Sequence, residues 1–196
     1  MSSPVATSAI NTNRTKVVGV GLTLKSSVDR EVLGISPEAA KEWQRRTEGE
    51  FALWADRKAN CDATGMNNFY GMQQLALVAW LQSGDVFPVF KRRNPTPVNP
   101  YSLRIHLVEA DRVRTPAEYG GGTAVAHITD GKNPENGNRI FDGVEVDNDG
   151  MVVAYYVHNT YPWQTTTELT KWTRVEAYGP RTGLPNILHI MGSERP

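Results

Sequence analysis

Four histidines, one cysteine and a run of acids at 145–149 are the side chains with chemistry to offer, and their spacing decides what they can do. His106, His127, His158 and His189 stand far apart. None forms an HxH, HxxxH or HExxH pair that would grip a metal from one strand or helix. A serine nucleophile would need a GxSxG turn, and none is present. Cys61 lies between Asn60 and Asp62, which give no positive environment to stabilise a thiolate. Glu145, Asp147, Asp149 and Gly150 match positions 1, 3, 5 and 6 of a calcium loop, but Tyr156 stands where the bidentate Glu is needed. The residues between, MVVAY, read as a strand, so an Asp-Gly hairpin turn accounts for the pattern better.

Two further motifs fall short in the same way. Gly19-Val20-Gly21 would begin a dinucleotide fingerprint, but Leu24 replaces the third glycine and a strand is expected to follow. A turn with positive φ is the better reading. No phosphate-cradling GxxxxGK[ST] exists. Lys91-Arg92-Arg93 is the tightest basic run. It reads first as a solvated strand end, and second as a contact for nucleic acid or an acidic partner. No catalytic residue, metal ligand or cofactor site is therefore expected.

Composition bounds the rest. At 196 residues the chain has room for one domain, or one domain with an arm. The 21 basic residues balance the 21 acidic ones, which argues against a generic nucleic-acid binder. A single cysteine excludes an intrachain disulfide and fits a reducing compartment. The polar N-terminus lacks the apolar core of a signal peptide, and no apolar run is long enough to span a bilayer.

The elements that must position these residues follow from punctuation and period. Residues 1–16 read as an N-terminal arm. Residues 17–27 alternate apolar and polar after Gly21 and read as a strand. Ser36-Pro37-Glu38 starts a helix that should run over about 36–57, with Ala40, Trp43, Thr47, Phe51 and Trp54 as its apolar stripe. Residues 60–67 read as a loop. A second helix over about 68–83, capped by Asn67 or Asn68 and ended by Gly84, is apolar on every side from Leu75 to Leu81. Such a helix must be covered, by its own domain or by neighbouring chains. Strands are expected at 85–91, 101–109, 140–146, 151–158, 172–177 and 187–190. Pro88 marks an edge or a bulge in the first of these. Residues 114–138 read as a long loop with a short element near Ala124 to Ile128. The fold class is α+β: two helices packed on a mainly antiparallel sheet with long loops.

Several segments combine into a familiar order. They are VVGVGLTLKS at 17–26, the helix carrying Trp43, Phe51 and Trp54, Cys61-Asp62 with Phe69, and LALVAWLQSGDVF at 75–87. LVEADRV at 107–113, FDGVEVDNDGMVVAYYV at 141–157 and ILHIMGSERP at 187–196 complete the set. With them the chain resembles the portal proteins of lambda-like tailed bacteriophages. The resemblance implies a non-catalytic component of a homo-oligomeric ring, usually of twelve subunits, at the head–tail connector vertex. It implies terminase and head–tail joining proteins as partners, DNA passing through the channel, and a place in the virion after assembly in the host cytoplasm. Residues 17–196 then correspond to part of the portal wing, as a fragment with the stem and clip absent. Two other readings compete. One is a stand-alone hydrolase using a histidine of the β-rich half, with 114–138 as its lid. The other is a DNA-binding domain centred on Lys91, Arg92 and Arg93.

Overall fold

The computed structural model describes residues 3–120, 130–164 and 170–192. The element near Ala124 to Ile128, and His127, lie outside the described residues. Five α-helices and two sheets make a mixed α+β fold among them. The helices are α1 (Pro4–Val17), α2 (Arg30–Leu33), α3 (Pro37–Ala55), α4 (Lys58–Cys61) and α5 (Phe69–Ser83). The strands are β1 (Asp85–Arg92), β2 (Leu103–Glu109), β3 (Asp130–Lys132), β4 (Arg139–Phe141), β5 (Val144–Val146), β6 (Val152–His158), β7 (Trp172–Glu176) and β8 (Ile190–Met191). The two long helices expected from the sequence are α3 and α5. One sheet has the order β2-β1-β8, and the other is a five-stranded run, β3-β4-β5-β6-β7, with each neighbouring pair antiparallel.

The chain divides into two compact units. Unit 1 holds residues 1–78 and 91–106, and unit 2 holds residues 79–90 and 107–196. In unit 1, Ser36 caps α3 by accepting from the Ala39 N–H, with Pro37 in the first turn. The α3 stripe is buried at Ala40 and Trp54, but Trp43 is half exposed. Phe51, Trp54 and Phe69 form a ring cluster with centroids 5.2 to 5.6 Å apart, and the Trp54 indole donates to Leu103 O. Part of the expected 60–67 loop is helical, as α4, because its first turn satisfies the Asn60 and Cys61 N–H groups on Arg57 O.

Residues 17–27 are not a strand. From Gly21 to Asp29 the chain has no regular structure. The alternation read there is real, but its backbone partners are side chains. The Gln73 amide on α5 accepts from the Leu22 N–H at 2.6 Å and donates back to Leu22 O at 3.1 Å. The Gln74 amide donates to Gly19 O. Gly19 and Gly21 have φ of 57° and 110°, the turn expected of this glycine pair. A Cβ on Gly21 would sit 2.5 Å from the Tyr70 side chain, so glycine is required there.

In unit 2 the apolar core gathers Phe87, Val89, Val108, Val113, Val144, Val146, Tyr155, Ala177 and Ile187. The expected strand at 140–146 is two strands. Asp142 and Gly143, at φ of 45° and 84°, make the two-residue turn between β4 and β5. The turn at 147–150 between β5 and β6 is as read, with Asp147 Oδ1 accepting from the Asp149 and Met151 N–H groups.

Pro88 lies inside β1, which is central in its sheet. Pairing with β8 runs from Asp85↔Met191 through Val86↔Ile190 and resumes at Val89↔Ile187 in the same register. Opposite Pro88, Leu188 donates to Pro88 O, but proline has no N–H to return. The irregularity is one missing rung, with no residue inserted.

Candidate functional site

Every histidine position that the structure describes was weighed for a nucleophile beside it. His158 is buried on β6, and its Nε2–H donates to Arg114 O at 3.0 Å. Burial, then the nearby Arg114 charge, pushes its pKa below the ordinary value, so the ring is held neutral. His189 stacks on Phe87 with centroids 4.4 Å apart, and its Nε2 lies 3.4 Å from Asp85 Oδ1. Neither ring faces a hydroxyl or thiol. Cys61 is fully buried, and burial pushes its thiol up to about 11. It donates to backbone carbonyls of Arg57 and Ala55. That is a packed, inert thiol.

The acids at 145–149 do not share a site. Asp147 is spent on the hairpin turn, while Glu145 points the other way and is fully buried. Its carboxylate receives two bonds from the Arg174 guanidinium, at 2.8 and 3.1 Å. The Asn136 and Asn138 amides donate at 2.7 and 2.9 Å, and the Tyr156 hydroxyl at 2.8 Å. Asn133 donates to both Glu145 and Tyr156. Burial opposes the charge, but these donors outweigh it and hold the carboxyl at about 2. Tyr156 is pushed up in turn by burial and by its bond to Glu145. With its oxygens saturated, this carboxylate has no capacity left for a base's work. The network went unread in the sequence, although the amide cluster Asn133, Asn136 and Asn138 was its visible signal.

Lys91, Arg92 and Arg93 lie at the exposed end of β1, and Arg93 also donates to Ala63 O at 3.4 Å. The run stands apart from the histidines and from Glu145 in one sense that matters: its residues belong to unit 1, and those to unit 2. An open hollow along α1 is lined by Pro4, Thr7, Ser8, Asn11, Thr12, Thr15 and Lys16, which provide no acid–base pair.

What the described residues do display is apolar surface. In α5, Met72 alone is fully buried, while Leu75 and Leu81 are 44% and 40% exposed. Neither α1 nor α2 buries a residue, and Val17, Val20, Leu22 and Leu33 are all more than half exposed. Surface of this kind binds other proteins.

The comparisons agree with that reading. The family model for phage portal protein, lambda family, matches residues 1–196. A curated relative described as a probable portal protein, from Halomonas phage phiHAP-1, is 27% identical over 150 residues. The match covers 76% of this chain and 25% of the relative, so the chain spans about a quarter of that relative's length. Portal proteins of this family are structural, non-enzymatic components of the virion. An inert thiol, histidines without nucleophiles and a saturated carboxylate are what such a role leaves behind, and the chain belongs to the lambda family of phage portal proteins.

Proposed function

We propose that this chain is part of the wing of a portal ring, the head–tail connector through which DNA is packaged and ejected. The observation that carries the reading is the apolar helix α5, left open at Leu75 and Leu81. A ring subunit meets two neighbours through two different faces, so helices of this kind are covered by assembly. Terminase and head–tail joining proteins are the remaining partners, and assembly takes place in the host cytoplasm. The test is negative-stain microscopy of the full-length polypeptide, with closed rings expected. Uniform monomers at high concentration would overturn the reading.

A second reading concerns Lys91, Arg92 and Arg93 alone. Their exposure at a strand end favours an electrostatic contact with DNA or an acidic partner. If the partner is DNA, binding of duplex DNA should weaken steeply with salt, and Lys91→Ala/Arg92→Ala/Arg93→Ala should flatten that slope by about 3. An unchanged slope removes these residues from DNA contact.

A further inference from the structure

The chain is neutral as a whole but not in its parts. Unit 1 carries 13 Lys and Arg against 8 Asp and Glu, a net +5; unit 2 carries 8 against 13, a net −5. Charge segregated by unit in a self-assembling chain favours contact between the basic unit of one copy and the acidic unit of the next. Like units would repel.

Each unit also presents one apolar surface at which its charge gathers. In unit 1 it is the arm. Val17, Val20, Leu22 and Leu24 are 59%, 93%, 61% and 37% exposed, and no acid precedes Asp29 in the chain, so Lys16 and Lys25 flank them unopposed by a near neighbour in sequence. The arm is not loose. Gln73 clamps Leu22 on both backbone groups, Gln74 holds Gly19, and Glu48 accepts from the Ser26 N–H at 2.9 Å. Polar clamps fix its path while its apolar side chains point to solvent.

In unit 2 the corresponding surface is the open edge of the β2-β1-β8 sheet. β8 pairs with β1 on one side only. Leu184, Leu188 and Ile190 along it are 57%, 41% and 38% exposed. Asp85, paired with Met191, lies at this edge, and burial together with the charges of Asp85 and Asp130 pushes the Asp142 carboxyl up. These acids repel one another, and a cation brought to them gains from both.

We propose that the arm of one copy, Val17–Lys25, docks on the β8 edge of the next copy, apolar against apolar, with Lys16 and Lys25 facing Asp85 and Asp142. The occupant is a second copy of this chain, and the contact is head-to-tail, so it propagates around a ring. An extended segment laid along an open strand edge is a recurrent mode of recognition. This rests on the portal reading and assigns its subunit interface.

The test uses the full chain with one engineered cysteine per copy, since Cys61 is buried and inert. Val20→Cys and Leu188→Cys copies are mixed and oxidised. Val98→Cys, at a position 89% exposed in a proline-rich loop, measures random collision. The Val20–Leu188 pair should cross-link about tenfold above that background, falling to it as salt rises from about 0.05 to about 0.5 M. Lys16→Glu/Lys25→Glu in the Val20→Cys copy should abolish the cross-link, and Asp85→Lys in the other copy should restore it. Circular dichroism checks that each variant is folded. Cross-linking at background, or a Val20–Val20 product above it, overturns the proposal. Rings of the full-length polypeptide alongside such a failure would leave the portal reading standing and displace only this interface.

Discussion

The residue that organises unit 2 is Glu145. A carboxylate buried without solvent is stable only when charge and donors surround it, and here an arginine, two amides and a phenol do so. Its pKa is held near 2, below the ordinary 4.5. The stabilisation it brings is therefore complete above about 4.5 and is lost as the pH falls towards 2, amounting to about 3 kcal/mol. Urea unfolding at pH 7 and near pH 3 should show this loss. Glu145→Gln should destabilise the protein by about 3 kcal/mol at pH 7, by leaving Arg174 buried with half its partner, and should flatten the acid slope. An acid slope unchanged by the substitution would assign the effect elsewhere. Cys61 makes a second prediction at this scale. With its thiol at about 11 and no exposure, a thiol reagent should modify it only at the rate of unfolding.

Among the elements, the arm and the hairpins show what local sequence can specify. Gly21→Ala should drive a Cβ into Tyr70 and break the clamp at Leu22. Because α1 and α2 bury nothing, the melting midpoint should move little while hydrogen exchange at Leu22 speeds up markedly. A large fall in the midpoint would mean that the arm carries global stability. The starts and stops of α3 and α5 were legible because caps act locally: Ser36-Pro37 begins one, Asn68 caps the other on the Gly71 N–H, and Gly84 at φ 88° ends it. The Asp149-Gly150 turn was legible for the same reason. Asp142-Gly143 is the same dipeptide, but it sat inside a run that read as one strand. The 17–27 alternation misled because a strand's partner was assumed to be a strand. A glutamine side chain offers one donor and one acceptor, the same pair that a neighbouring backbone residue offers, and no sequence pattern announces it.

For the whole molecule, the neutral total hid two oppositely charged units, which become visible only when the fold shows where the chain divides. The apolar helix is the converse case. Its sequence demanded cover, and the single chain buries only Met72 completely. Leu75→Glu/Leu81→Glu should therefore change the stability of the isolated chain by less than about 1 kcal/mol, since both positions are already wet. In the full-length polypeptide the same pair should prevent ring closure, as scored by microscopy. A loss of several kcal/mol in the isolated chain would show that α5 is held by this chain's own contacts.

The placement of Glu145 also guards against a folding error. Val144 and Val146 face the apolar core, and Glu145 faces the amides from the strand position between them. A slip of β5 by one residue would exchange those faces. It would turn a carboxylate toward Phe87 and Val108 and leave Arg174 with nothing to hold. Two valines alone would make such a slip cheap, since one apolar residue replaces another. The charge between them makes the wrong alignment cost more than the chain's whole stability, so the misaligned sheet is discarded before it can be built into an assembly that has no means of repair.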